Sequence, residues 1–261
     1  MKSRKAPTGL DQRTAFDVER RQQMTVVRFH TLDMLAWSEL SLAGELFDFF
    51  ESERSKPSPI LVLLAPPGLL DRASLEKLLA GSSGEGVNND LEFGRRIVRV
   101  ENMIHRFIES VRGLNSFVVG AADGEIALRL AAPFFACDYH IVSSDSVFVN
   151  TMQDLPLVPF GCLPWVLTRM VGGAKTMQLL LDVPRLPANE ARDIGLVNHV
   201  TASGRFEEEV LEVAGRLASL PQIALAGLKR AMVASCEDLG TYMDREIEYA
   251  GSHAVRQRHV E

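Results

Sequence analysis

Two short runs with no polar residue in them, Ile60-Leu-Val-Leu-Leu64 and Phe117-Val-Val-Gly-Ala121, limit what this chain can fold into. Each has strand length, and a strand without polar alternation is stable only where both faces are covered. Between them lies the clearest amphipathic segment of the chain, predicted as a helix over Leu91–Arg112. Its apolar stripe is Ile97, Val100, Ile104, Phe107, Ile108 and Val111. Buried strands alternating with helices argue for an α/β domain.

The remaining pattern fits that frame. Residues 1–23 are polar and charged and read as a flexible N-terminal arm; 24–200 read as the core domain and 201–261 as a helical C-terminal segment. Strands are expected at Thr25–Phe29, Tyr139–Val142, Val147–Phe148 and Leu196–Val200. Helices are expected over Leu32–Phe50, Ala73–Ala80, Val166–Val171, Lys175–Leu181 and Asn189–Ile194, then from Phe206 onward with a break at Leu220-Pro221. Ile126–Ala136 reads as one apolar helix, kinked or starting late at Pro133. Gly81–Gly86 reads as a flexible loop; it lacks the Gly-Lys-Ser/Thr ending of a phosphate-binding loop.

Composition narrows the partners. The net charge of −6 presents a repelling average field to nucleic acid and to anionic membranes. No apolar run approaches the roughly 18 residues of a membrane span, and the basic start of the chain lacks the apolar stretch of a secretory signal. Cys137, Cys162 and Cys236 are odd in number and show no metal-ligand spacing, so reduced thiols and a cytoplasmic location are expected, with no metal.

From Ser116 to Val200 the chain resembles the core of the crotonase, or enoyl-CoA hydratase/isomerase, superfamily. Phe117-Val-Val-Gly-Ala-Ala-Asp-Gly124 stands where that family has a strand ending in Asn-Gly. Ala136-Cys137-Asp138 matches its Ala-Cys-Asp, and Val158-Pro159 a family proline. Arg169-Met-Val-Gly-Gly-Ala-Lys175, Leu179-Leu-Leu181 and Ala188-x-Glu-Ala-x-x-Ile-Gly-Leu-Val-Asn198 follow in the family's order. The resemblance implies a ClpP/crotonase-type spiral of strand–strand–helix repeats with helices at the C-terminal end. It also implies an acyl-CoA thioester as substrate or ligand, coenzyme A being part of that ligand rather than a resident cofactor, and a homotrimer or hexamer.

In that family two backbone N–H groups stabilise the enolate oxygen of the thioester. The resemblance places these donors at Ala73, within Asp71-Arg72-Ala73-Ser74, and at Arg129, within Leu128-Arg129-Leu130. The family keeps glycines at the second position, which lets the acyl group approach the backbone; three side chains would crowd that approach. The two carboxylates that a hydratase uses to activate water and deliver a proton fall on Ala132 and Met152, which do not titrate.

Other residues could stand in for the missing carboxylates. Asp154, two places after Met152, is the catalytic candidate, against the ordinary reading of a loop aspartate as solvated or capping a turn. Glu125 ranks below it. His105 and His140 fit packing histidines better than catalytic ones, and Cys137 fits a small core residue. Cys162, in the loop after Pro159, shows nothing nearby that would activate its thiol. Arg129 has three readings: an internal salt bridge, which is favoured, contact with an anionic ligand, or exposure to solvent. Arg256 and Arg258 suit a solvated helix tail or a phosphate contact. Three functions stay open: a divergent thioester enzyme such as a decarboxylase or hydrolase, an inactive assembly or binding subunit, and a hydratase.

Overall fold

The computed structural model describes residues 10–30, 40–80, 87–152, 159, 161–235, 238–240, 243, 244 and 247. The chain opens with β1 (Leu10–Gln12), β2 (Phe16–Arg20) and β3 (Met24–Phe29). It continues through α1 (Leu40–Ser55), β4 (Ile60–Ala65), α2 (Arg72–Ala80), α3 (Val87–Arg112) and β5 (Phe117–Ala122). The sheet runs β1-β2-β3-β4-β5, then β7 (Tyr139–Ser143) and β10 (His199–Thr201). From β3 to β10 every pairing is parallel. A smaller sheet joins β6 (Glu125–Ala127), β8 (Val147–Val149) and β9 (Arg185–Pro187).

The two apolar runs are the central neighbours β4 and β5, in register from Ile60 opposite Phe117 to Ala65 opposite Ala122. Alternate residues serve opposite faces. Leu61, Leu63 and Val118 face α1 and α3. Ile60, Val62, Leu64 and Val119 face the C-terminal helices α8 (Phe206–Ala218) and α9 (Gln222–Ala234). The whole stripe of α3 is buried and is shared between two core clusters, Phe107 and Val111 on one side and Ile97, Val100, Ile104 and Ile108 on the other.

Two expectations are corrected. Residues 10–20, expected within a loose arm, form two antiparallel strands that extend the sheet. Phe16 and Val18 point inward and are buried. Their polar neighbours form the outer face, where Glu19 pairs with Arg21 and Arg28, both at 2.8 Å. Ile126–Ala136 is not one helix. It divides into β6, a 3-10 turn at Leu128–Leu130 and the single-turn helix α4 (Ala132–Phe135), with Pro133 in the first turn, where it needs no N–H partner. The Leu196–Val200 strand is shifted to β10. The helix expected at Leu32–Phe50 is seen from Leu40 and runs on to Ser55. The remaining elements are α5 (Leu163–Val171), α6 (Gly173–Leu181) and α7 (Ala188–Asp193). Among the described residues no helix is long and apolar enough to cross a membrane.

Candidate functional site

In a parallel sheet the loops that carry ligands lie beyond the carboxyl ends of the strands. Here those loops are Pro66–Asp71 after β4 and Asp123-Gly124 after β5. Gly124 has φ +81°, and a Cβ there would lie 3.2 Å from Pro67 Cβ, so glycine is needed both for the turn and for the close approach of the two loops. The Ala127 N–H donates to the Leu70 carbonyl at 2.7 Å. The Arg72 N–H donates to Glu125 Oε1 at 3.3 Å. Together these bonds seat the first turn of α2 against β6.

Asp71 caps α2. Its Oδ1 accepts from the Ser74 N–H at 2.8 Å and its carbonyl from the Leu75 N–H at 3.3 Å. Between the engaged N–H groups of Arg72 and Ser74, the exposed Ala73 donates no hydrogen bond from its N–H among the described residues. Arg129 sits in the 3-10 turn directly after β6. Its side chain is 1% exposed and is the largest fully buried one in the described chain, so the solvent-facing reading of Arg129 fails. Burial lowers its pKa to about 10, which still leaves the guanidinium charged at neutral pH.

Ala132 starts α4 and is fully buried. Gly161, with φ +71°, is held against it: a Cβ on Gly161 would meet Ala132 Cβ at 3.7 Å and Ile104 Cγ2 at 3.2 Å. Met152 is half-buried against the same core cluster. Its N–H donates to Asn150 Oδ1 at 2.9 Å, and the Asn150 amide is fixed in turn by the carbonyls of Leu179 (3.0 Å) and Leu180 (2.9 Å). Glu125, besides capping Arg72, pairs with Arg185 at 3.4 Å. A carboxylate this close to the Ala73 N–H opposes anion binding there. Asp154, the loop at 81–86, Cys236, Arg256 and Arg258 lie outside the described residues.

The other candidates are packed away. His105 is buried on α3. His140 lies among aromatic rings, 5.2 Å from Phe134 and 5.8 Å from Phe135 between centroids. Burial lowers its pKa to about 4 against the opposing pull of the Phe135 and Cys137 carbonyls, so the ring is neutral at pH 7. Burial pushes the Cys137 thiol far up, which makes it inert. Cys162 is buried and has φ 62°, a left-handed conformation unusual for a residue with a side chain.

Beneath these loops lies an apolar cavity of about 80 Å³. Its walls include Leu63 and Ala65 of β4, Leu69 of the following loop, Met103 and Phe107 of α3, and Phe134 of α4. Cys137 also borders it.

The sequence reading missed one buried ionic contact. Lys229 of α9 pairs with Asp138 at 2.9 Å and donates to the carbonyls of Val111 (2.8 Å) and Ser116 (3.0 Å). Asp138 also accepts from the Val118 N–H at 2.7 Å. The only signal for Lys229 was a lone cation in an otherwise apolar helix face.

Comparison with known proteins bears on the family and the fold. The family profile described as Enoyl-CoA hydratase/isomerase matches residues 111–257. A short-chain-enoyl-CoA hydratase from Clostridioides difficile is 31% identical over 142 residues, 54% of this chain and 86% of that protein. A 1,2-epoxyphenylacetyl-CoA isomerase from Escherichia coli is 27% identical, the match covering 58% of each. Among solved structures, an enoyl-CoA hydratase from Mycobacterium avium subsp. paratuberculosis superposes with a TM-score of 0.72 at 23% identity, over 95% of this chain and 96% of that one. One from Bacillus halodurans gives 0.73 at 18% identity, over 94% and 96%.

Proposed function

Because the chain belongs to the enoyl-CoA hydratase/isomerase family and has the crotonase fold, we propose that it binds an acyl-CoA thioester beyond the carboxyl ends of β4 and β5. In this reading the backbone N–H groups of Ala73 and Arg129 face the thioester oxygen and stabilise negative charge that develops on it. The observation that carries it is the unused N–H of Ala73 at the start of a capped helix, docked beside the turn that holds Arg129. Coenzyme A enters as part of the ligand.

Ala132 and Met152 stand where a hydratase of the family has its acid and base, and neither side chain can transfer a proton. The chemistry that fits is therefore one that needs a stabilised thioester oxygen more than a carboxylate pair, such as loss of a carboxylate group or hydrolysis. Asp154 is the candidate proton donor or acceptor within that reading. The direct test is titration with CoA and acetyl-CoA. Saturable binding supports the proposal, and none at millimolar ligand removes it. Crotonyl-CoA hydration is expected to be undetectable, and appreciable turnover would overturn the assignment of Ala132 and Met152.

A second reading, an inactive binding or assembly subunit, is favoured by the filling of the site itself. Arg129 occupies buried space beside β6, and Ala132 is packed against Gly161 and Ile104. Binding of CoA thioesters without turnover of any of them would select it. In both readings the assembly is a homotrimer or a dimer of trimers. The exposed Ile223, Leu228 and Met232 of α9 support an interface, and sedimentation tests it.

A further inference from the structure

We propose that the helical stretch after α9, described at residues 238–240, 243 and 244, undocks from the core as a unit while the rest of the fold stays intact, and that the Arg169–Asp238 ion pair is its latch. The latch does not depend on the thioester reading. Two arginines and one ring build it. The Arg169 guanidinium lies over the Trp165 ring at 3.9 Å from a ring centroid, and the Arg112 guanidinium at 5.6 Å. Arg169 Nη2 donates to both carboxylate oxygens of Asp238, at 2.6 and 2.7 Å. Arg112 Nη2 donates to the Val233 carbonyl in the last turn of α9 at 3.3 Å, where a cation suits the helix dipole.

The two grips hold unequally anchored pieces. α9 is fixed to the core by Leu225 and by the buried Lys229. Beyond Ser235, the buried side chains among the described residues are Leu239 and Met243, one helical turn apart, in the same core cluster as Trp165 and Val166. Each ordered residue carries an entropy cost that two apolar anchors offset only narrowly. Segments with few buried apolar contacts are the ones that open below the global unfolding transition.

Asp238 directly precedes Leu239, so the ion pair fixes where that side chain enters the core. The pair itself is on the surface, with Arg169 35% and Asp238 64% exposed, and salt screens it. The stack on the buried Trp165 ring is screened less. Raising the ionic strength therefore frees Asp238 before it frees Arg169, which gives the latch a fixed half on α5 and a releasable half on the stretch after α9. What opens is the part of the core cluster that Leu239 and Met243 fill.

The test is amide hydrogen exchange of the full chain, followed by mass spectrometry at about 0.1 M and about 1 M sodium chloride. Amides of residues 238–244 are expected to exchange about threefold faster at the higher salt, with those of β4 and β5 unchanged. Asp238→Asn is expected to give about the same acceleration at low salt and to remove the salt dependence. Exchange of the stretch only in step with β4 and β5 would overturn undocking as a separate event. Equal rates at both salts, or in Asp238→Asn at low salt, would overturn the latch. A salt effect that persists undiminished in Asp238→Asn would do the same, because it would come from elsewhere. Arg169→Lys keeps a cation for Asp238 but loses the planar stack, and is also expected to speed exchange; an unchanged rate would remove Trp165 from the latch.

Discussion

Lys229 and Asp138 meet at 2.9 Å under the sheet, tying α9 to the turn between α4 and β7. Burial lowers the Lys229 pKa and raises that of Asp138, in each case against the attraction of the other. Both groups are thus pushed toward their neutral forms: the pair is costly to bury, and more costly to break.

Lys229→Ala is expected to lose roughly 3–5 kcal/mol, because it leaves Asp138 and the Val111 and Ser116 carbonyls without their donor. A double variant, Lys229→Met with Asp138→Asn, keeps an acceptor for the Val118 N–H and is expected to lose less than Lys229→Ala alone. Urea denaturation of the three proteins checks this. A double variant less stable than the single one would show that the charges themselves, not their isolation, matter.

His140 makes the fold sensitive to acid. Its pKa in the folded state is about 4 against 6.5 for a free side chain. The unfolded chain therefore binds the proton first as pH falls. The stability is fully present above 6.5 and is lost progressively down to about 4, by about 3 kcal/mol in all. His140→Phe is expected to flatten the pH dependence of the denaturation midpoint across this window. An unchanged slope would assign the acid sensitivity to other groups.

Arg129 should be a barrier and a support together. Arg129→Gly removes the largest fully buried side chain among the described residues and is expected to destabilise the protein by roughly 2–5 kcal/mol. Where the variant stays folded, its affinity for acetyl-CoA should rise severalfold as the approach to the backbone opens. Unchanged affinity in calorimetry would mean that the guanidinium does not crowd the ligand.

Ala132 and Met152, the proposed carboxylate positions, should respond unequally to substitution by glutamate. Ala132→Glu would bury a charge at a fully buried position in the apolar core beside Gly161, and is expected to cost about 3 kcal/mol or more. Met152→Glu, at a half-buried position, should cost about 1 kcal/mol or less. Thermal denaturation compares them. Equal losses would show that the Ala132 site has more room than its neighbours indicate.

The central sheet was legible because β4 and β5 are apolar on both faces, and α3 because its stripe keeps helical spacing. The opening hairpin was not, because Phe16 and Val18 are separated by Asp17 and flanked by residues that pair across the surface; two inward side chains leave too faint an alternation. The segment after Gly124 read as a helix because Ile126–Ala136 is apolar throughout, and periodicity cannot separate a buried strand, a 3-10 turn and a short helix within such a run. Arg129 was visible as an odd residue, but its burial depends on packing between segments far apart in sequence, which no local pattern reports. Lys229 and Asp138 were unreadable as a pair for the same reason.

The hairpin has a practical consequence. Phe16 lies edge-on to Phe49 at 5.7 Å, and α1 carries both Phe49 and the cavity-lining Leu46. Trimming the seemingly dispensable leader up to residue 23 would strip the outer brace from that helix, and the loss would be felt one turn away on the same face of α1, at Leu46 and the hollow it lines.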